Sequence, residues 1–363
     1  MKQPLVLSVV VPTYNEEQNV RVLVERIAKN LDGINYEIVF VDDSTDKTPN
    51  IIEELIRAHE NIRLIHRQDK ERKGGLATAV VRGFAEARGT YICVMDSDLQ
   101  HPPQMVPALL EAASGADIVV ASRYRKGGSY EGLSGSFRKF LSVALKEFAR
   151  FVFFPKLNRV TDPLSGFFLV RCDILKDVTL NPVGFKILLE ILVRCQWKRV
   201  HEVPYRFAPR LGGKSKANMR QGISFLSHIM KLFFSVPQAG RVWKFGLVGG
   251  LVALIGSGLL YTFVDILSIE KNVAYFVQAF ICLQLNFNLN DRFTWGERRE
   301  GRNSGYWNRW VKFHVARALS VILSQILFAL LTALGMYYML AFAMCIIFAT
   351  GFNYFTSNRF VFN

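Results

Sequence analysis

Tyr91-Ile92-Cys93-Val94-Met95-Asp96-Ser97-Asp98-Leu99-Gln100-His101-Pro102-Pro103 is the stretch on which the reading turns. An apolar run delivers two aspartates, one residue apart, at its end. Charge is normally kept out of such runs, because an unpaired buried carboxylate is costly or shifts its pKa until it is neutral. A hard divalent cation removes that penalty, and Mg²⁺ or Mn²⁺ held this way commonly takes phosphate oxygens as further ligands. Taken alone, the pair is equally compatible with Asp96 capping a following helix and Asp98 facing water.

The surrounding pattern favours the cation. Residues 5–11, 36–41, 62–65, 90–95 and 117–121 are short β-rich runs, separated by helical patterns such as 17–31 and 48–58. This alternation predicts a mostly parallel, Rossmann-like α/β sheet with ligands at the carboxyl ends of its strands. Three polar clusters fall at those ends: Pro12-Thr13-Tyr14-Asn15-Glu16, Asp42-Asp43-Ser44 and Asp96-Ser97-Asp98. Together they suit a nucleotide. Tyr14 can flank a base, Glu16 and the Asp42/Asp43 pair can accept hydrogen bonds from base or ribose, and Pro12 stiffens the strand exit. Each cluster alone would pass for an ordinary turn.

The chain has 363 residues, of which 50% are hydrophobic, and its formal net charge is +15. The apolar residues are unevenly spread. Residues 245–264 and 272–290 contain no charged side chain, and the 40 residues from 318 to 357 contain none either. These lengths suit four crossings of a hydrocarbon core roughly 30 Å thick, with Gly335 at a turn between the last two. Arg292, Arg298, Arg299, Arg302, Arg309 and Lys312 lie between the second and third spans, whereas residues 265–271 hold one Lys. The positive-inside rule therefore places the N-terminal domain and that middle segment in the cytoplasm of a multi-pass cell-membrane protein. The first residues show no signal-peptide pattern, in keeping with this orientation.

The tail repeats itself. Lys244-Phe245 returns as Lys312-Phe313, and the Asn286-Phe287/Arg292-Phe293 spacing returns as Asn353-Tyr354/Arg359-Phe360. This implies two hairpins of two helices each. Before the tail, two segments are amphipathic. Phe137, Phe140, Leu141, Ala144, Leu145, Phe148, Phe151 and Val152 form one stripe, and Ile223, Leu226, Met230, Phe233 and Phe234 another. A core-facing helix explains such stripes; basic flanks and many aromatics favour helices lying in the membrane interface. The expected division is a catalytic domain at 1–216 with an interface helix at about 134–155, a second interface helix at 217–240, and a membrane domain at 241–363.

The ordered motifs VPTYNE, VDDS, DSDLQHPP, SRY, DPLSGFF and FAPRLGGKSK resemble glycosyltransferase family two with its GT-A fold, a resemblance that covers residues 5 to about 216. More narrowly, they are similar to dolichol-phosphate mannose synthases and related polyprenyl-phosphate glycosyltransferases. The tail resembles the GtrA-like four-helix membrane domain. The resemblance implies a nucleotide-sugar donor, a divalent cation at Asp96, Asp98 and Gln100, and a lipid-phosphate acceptor. It also places Arg123 near the reaction centre and Asp162 in a sugar-facing loop, with Asp98, Arg123 and Asp162 as the catalytic group. Ser97 joins the donor site. The segment Gly184-Phe185-Lys186-Ile187-Leu188-Leu189-Glu190 favours mannose, hence GDP-mannose, over glucose.

Physical chemistry agrees with that assignment. A polyprenyl monophosphate is largely ionised at neutral pH and attacks without a dedicated base, and a cation stabilises the departing nucleoside diphosphate. In-line attack inverts the anomeric centre. Fixed positive charge must draw the acceptor phosphate in. Arg138 and Ser142, one helical turn apart, suit that task, as do Arg123, Lys214 and Ser215; Arg210 and Lys216 in the same glycine-containing loop reach the donor.

Competing classes weaken on inspection. A P-loop needs glycine at 208, where the chain has Ala208, and no nucleophile elbow or metal-spaced histidine pattern is present. The five cysteines form no C-x-x-C pair and read as reduced. Net charge alone argues for no more than nonspecific nucleic-acid binding. Two readings stay open: UDP-sugar transfer to undecaprenyl phosphate, and a lipid-linked-sugar flippase component using Gln278, Gln284, Asn286, Asn288 and Gln325. A homo-oligomer through the membrane domain is compatible with either.

Overall fold

The computed structural model describes residues 5–130, 132, 136–208, 219–236, 239–296 and 305–356. It divides into two compact units, Met1–Val236 and Pro237–Asn363.

The first unit is built on a seven-stranded sheet in the order β3-β2-β1-β4-β6-β5-β7. Its strands are β1 (Leu7–Thr13), β2 (Tyr36–Asp42), β3 (Ile62–His66), β4 (Tyr91–Val94), β5 (Ile118–Ser122), β6 (Phe168–Arg171) and β7 (Val200–Pro204). β1 pairs in parallel with β2 on one side and β4 on the other, and β2 pairs in parallel with β3. β6 alone runs antiparallel, between β4 and β5. All seven residues of β1 are buried, as expected of a central parallel strand covered on both faces.

The helices follow from apolar spacing. In α1 (Val20–Asn30), Val20, Leu23, Val24 and Ile27 are buried at i, i+3, i+4 and i+7. In α2 (Thr48–Ala58), Thr48, Ile52 and Leu55 form the buried row, with a proline in the first turn. α3 (Leu76–Glu86) and α4 (Val106–Ala112) complete the layers over the first strands. Two strand ends differ from expectation. β1 and β2 run on through Thr13 and Asp42, so these residues belong to the ladder rather than to the loops after it.

The apolar stripe of α5 (Ser136–Val152) faces away from the core. Phe140 is 69% exposed and Phe151 59%, while Lys146 and Ala149 are buried. In α7 (Met219–Ser235), Phe225, Ile229 and Leu232 are buried against the unit, and Leu226, Met230 and Phe234 are exposed. α6 (Ile187–Arg194) lies within the unit with residues 187–193 all buried.

The second unit consists of α8 (Arg241–Tyr261), α9 (Lys271–Leu289), α10 (Tyr306–Ala333) and α11 (Tyr338–Thr356) among the described residues. The segments Arg241–Ile266 and Tyr306–Ala333 are long and apolar enough to cross a membrane. Gly335 turns the chain between α10 and α11 at φ +83°, a conformation that costs glycine little. Polar side chains in these helices bond to one another. Gln284 meets His314 at 2.8 Å and Trp310 at 3.0 Å, and Asn290 meets Asn286 at 2.7 Å. Arg309 Nε donates to Asp291 Oδ1 at 2.7 Å in a buried pair. Large apolar side chains instead point outward on all four helices, among them Leu254, Phe276, Ile326 and Leu340.

Gly89, ahead of β4, has no room for a side chain: an added Cβ would lie 2.6 Å from Ser8 N and 2.7 Å from Leu7 C. Gly89→Ala is expected to cost about 1–3 kcal/mol, seen as a lower Tm of the first unit. Gly115→Ala, whose Cβ meets nothing nearer than 3.5 Å, is the control expected to leave Tm unchanged.

Candidate active site

Because β2, β1 and β4 are neighbours running the same way, their carboxyl ends bring residues 42–44, 13–16 and 95–98 to one edge. The three polar clusters of the sequence therefore meet, each with a different role.

Asp42 is fully buried and acts inside the scaffold. Its carboxylate accepts from Thr13 Oγ1 at 2.7 Å and from Ser44 Oγ at 2.5 Å, and lies 2.7 Å from His66 Nδ1. Asp43 is clamped by Arg67, whose Nε and Nη2 donate to its two oxygens at 2.8 and 2.5 Å. Arg67 is held in turn by Thr78 Oγ1 and the carbonyls of Glu71 and Gly75. Both aspartates thus tie the ends of β1, β2 and β3 together. Their expected contact with a donor would have to be made through what these bonds leave. Asn15, at φ 56°, turns the chain after Pro12 and β1 and takes the Thr45 N–H on its Oδ1 at 2.9 Å. Glu16 accepts from Asn19 Nδ2 at 2.7 Å, and Tyr14 stands half exposed at the rim.

At the end of β4 the pattern changes. Ser97, Asp98, Gln100 and His101 are buried, and Leu99 adopts φ 62°, folding the segment tightly. Asp98 Oδ1 accepts the Gln100 N–H at 3.1 Å, and Gln100 Nε2 donates to the Ala208 carbonyl at 3.0 Å, which turns its Oε1 the other way. His101 Nδ1 accepts the Asp96 N–H at 2.9 Å. Burial holds the imidazole pKa down to about 4, so the neutral ring acts as a fixed acceptor, stacked on Phe167 at 5.2 Å between centroids.

The 162–166 loop closes on this corner. A Cβ at Gly166 would lie 3.4 Å from Asp96 Oδ2 and 3.1 Å from His101 Cε1, so a residue without a side chain lets the loop approach the carboxylate. Among the described residues no three carboxylate, imidazole or thiol groups converge on one point. Asp96, Asp98 and the Gln100 amide would offer hard oxygen donors. Such donors suit Mg²⁺ or Mn²⁺, which often binds one or two carboxylates and completes its shell with phosphate and water.

Asp162, also fully buried, is paired bidentately with Arg123: Nε to Oδ2 at 2.8 Å and Nη2 to Oδ1 at 2.9 Å. Glu202 Oε1 accepts the N–H groups of Thr161 and Asp162 at 2.8 and 3.1 Å and so orients the turn. Its two bonds to Asp162 hold the Arg123 guanidinium in one orientation beside this loop. Ser142 of α5 reaches the same corner, 2.9 Å from Tyr124 Oη. The side chain of Arg138 and the loop residues Arg210, Lys214, Ser215 and Lys216 lie outside the described residues.

His66, Arg67 and His101 at these strand ends were not singled out by the sequence reading, and Lys186 entered it only within the 184–190 segment. His66 and Arg67 stand at the end of β3, where the same strand-end rule applies. His101 belongs to the very stretch that carries the aspartates. Lys186 Nζ donates to the Leu164 carbonyl at 2.9 Å; burial first, and then the Arg123 charge, lower its pKa to about 8, against the pull of Asp162 and Asp96.

Removing one member of a buried ion pair strands the other. Arg123→Met is expected to cost about 3–5 kcal/mol, and Arg123→Met combined with Asp162→Asn to regain part of that loss. Thermal unfolding of the two variants checks this coupling; equal Tm losses would show that the pair is not coupled.

Comparison with known proteins matches the family model Glycosyl transferase family 2 to residues 8–179. The GtrA/DPMS transmembrane domain matches residues 244–362. A dolichol-phosphate mannosyltransferase of Pyrococcus furiosus is 39% identical over 350 residues, 96% of this chain and 97% of that one. The Saccharomyces cerevisiae dolichol-phosphate mannosyltransferase is 33% identical over 251 residues, 66% of this chain and 88% of its own. A solved glucosyl-3-phosphoglycerate synthase of Mycobacterium tuberculosis, with Mn²⁺ and UDP, overlaps 65% of this chain and 80% of its own at 22% identity and TM-score 0.46. The chain belongs to the dolichol-phosphate mannosyltransferase family, glycosyltransferases of family 2 that carry a GtrA/DPMS transmembrane domain.

Proposed function

We propose that the protein transfers mannose from GDP-mannose to a polyprenyl monophosphate of the dolichol type, with inversion, at the cytoplasmic face of a cell membrane. The observation that carries this reading is the 39% identity to the Pyrococcus enzyme, which runs through catalytic and membrane portions alike.

In this reading the donor lies across the carboxyl ends of β2, β1 and β4, its base near Tyr14 and its diphosphate toward Asp96, Ser97 and Asp98. Asp96, Asp98 and Gln100 would hold Mg²⁺ or Mn²⁺, which would supply charge neutralisation for the departing GDP. Asp162, fixed by Arg123 and Glu202, sets the wall against which the sugar sits. Ser142 on α5 and Ser215 offer hydroxyls, and Arg138 and Lys214 positive charge, to the acceptor phosphate, whose ionised oxygen attacks the anomeric carbon while the C–O bond to GDP breaks. Arg210 and Lys216 are assigned to the donor phosphates on the strength of their charge.

The exposed apolar faces of α5 and α7 support a catalytic unit resting on lipid, where the acceptor's isoprenoid chain stays dissolved. Outward apolar side chains and inward polar bonds on α8–α11 support four membrane crossings. Because Gln278, Gln284, Asn286 and Asn288 are engaged in hydrogen bonds, an anchoring role is favoured over a transport path. Positive charge between the second and third crossings supports the cytoplasmic orientation.

A screen of GDP-mannose and UDP-glucose against dolichyl and undecaprenyl phosphate tests the assignment. Transfer is expected with GDP-mannose, abolished by chelator and restored by Mg²⁺ or Mn²⁺. Preference for the uridine donor would overturn the sugar assignment, and undiminished transfer in chelator would overturn the role given to the carboxylates.

A further inference from the structure

Glu190 in α6 is fully buried and takes no part in the chemistry above. Its Oε1 accepts from Arg194 Nε at 2.5 Å and the Asn181 N–H at 2.9 Å; its Oε2 meets His228 Nε2, on α7, at 2.5 Å. Burial opposes its ionisation, but the hydrogen bonds from His228, Asn181 and Arg194 outweigh it and hold the carboxyl below its ordinary range. His228 is equally buried, and its Nδ1 has no hydrogen-bond partner among the described residues. The ring's polar commitment therefore runs through Glu190.

Two further bonds tie the same helices. Arg194 Nη2 donates to Ser235 Oγ at 2.9 Å, and Lys231 Nζ donates to the Asn181 carbonyl at 3.0 Å. The opposite face of α7 carries Leu226, Met230 and Phe234, one helical turn apart, and Phe234 is 63% exposed. Only residues 236–240 separate α7 from α8, the start of the transmembrane domain. A lipid surface is thus the occupant that chain connectivity supplies for this face.

At its other end, α6 begins beside the reaction centre. Lys186, immediately before it, holds the Leu164 carbonyl at 2.9 Å, and the Gly184 carbonyl accepts from Ala77 N at 3.1 Å. Leu164 belongs to the loop whose Gly166 abuts Asp96. A short helix buried along its whole length moves as a body, because close-packed interiors transmit displacement rather than absorb it. An apolar pair would join the two helices at least as strongly as buried charge. Apolar contact, however, would allow sliding, whereas the Glu190–His228 bond fixes one register.

We propose that Glu190 and His228 are positioning residues, a clasp that couples lipid contact at α7 to the placement of the 162–166 loop beside Asp96. This rests on the acceptor being a lipid phosphate. The test compares transfer to one polyprenyl phosphate presented in detergent micelles and in phosphatidylcholine vesicles, using the full-length protein. In wild type, vesicles are expected to raise kcat about tenfold, with KM for GDP-mannose unchanged. His228→Asn and Glu190→Ala should lose that gain, and Glu190→Gln, which keeps an acceptor for His228, should recover part of it. Hydrogen exchange of the 162–168 amides should slow on vesicle addition in wild type and not in His228→Asn. An undiminished vesicle gain in His228→Asn, or equal loss in micelles and vesicles with a fallen Tm, would overturn the clasp. Should wild type transfer no sugar, the enzymatic reading fails, and the exchange measurement still decides the clasp.

Discussion

The parallel ladder of β1, bonded to β2 on one side and β4 on the other, is the constraint on which the site depends. Parallel pairing puts all three carboxyl ends at one edge, so acidic residues far apart in sequence must share a small volume. Such crowding is tolerable only if each carboxylate is compensated. The chain does this internally for two of them. Arg67 neutralises Asp43, and a hydroxyl and imidazole cage satisfies Asp42. At the end of β4 the compensation proposed for Asp96 and Asp98 comes from a cation that arrives with its diphosphate client.

A second compensated pair, Arg123 with Asp162, extends this logic across the antiparallel strand β6. The 162–166 loop precedes β6, and the β4–β6 pairing carries it back to Asp96. Gly166 at that approach and neutral His101 behind it shape this corner together with the aspartates. Neither contributes charge. Their work is to let backbone and carboxylate come close and to hold the carboxylate's own backbone still.

Much of this was legible in sequence. Short β-rich runs, three of them ending in polar clusters, marked the first five strands, most plainly β1, β2 and β5, whose buried apolar residues leave little alternative. Uncharged 20-residue stretches marked the second unit, and Gly335 its last turn. Less legible was whatever depended on tertiary pairing. β6 has four residues and β7 ends in proline, too little pattern to announce a strand. Asp42 looked like a ligand because sequence shows a carboxylate at a strand end but not the Thr13, Ser44 and His66 that satisfy it. Arg67, 24 residues from Asp43, has no periodic signal linking it to its partner. The stripe on α5 left two meanings open, and the exposure of Phe140 and Phe151 speaks against the core-facing one.

The central claim is that the Asp96/Asp98 corner, and not the neutralised Asp42/Asp43 pair, holds the cation that binds a nucleoside diphosphate. Calorimetric titration of GDP with and without Mn²⁺ tests it in wild type, Asp98→Asn and Asp43→Asn, each confirmed by circular dichroism to be folded at the titration temperature. The account predicts that Mn²⁺ tightens GDP binding in wild type and Asp43→Asn but not in Asp98→Asn. Equal tightening by Mn²⁺ in folded Asp98→Asn would contradict it.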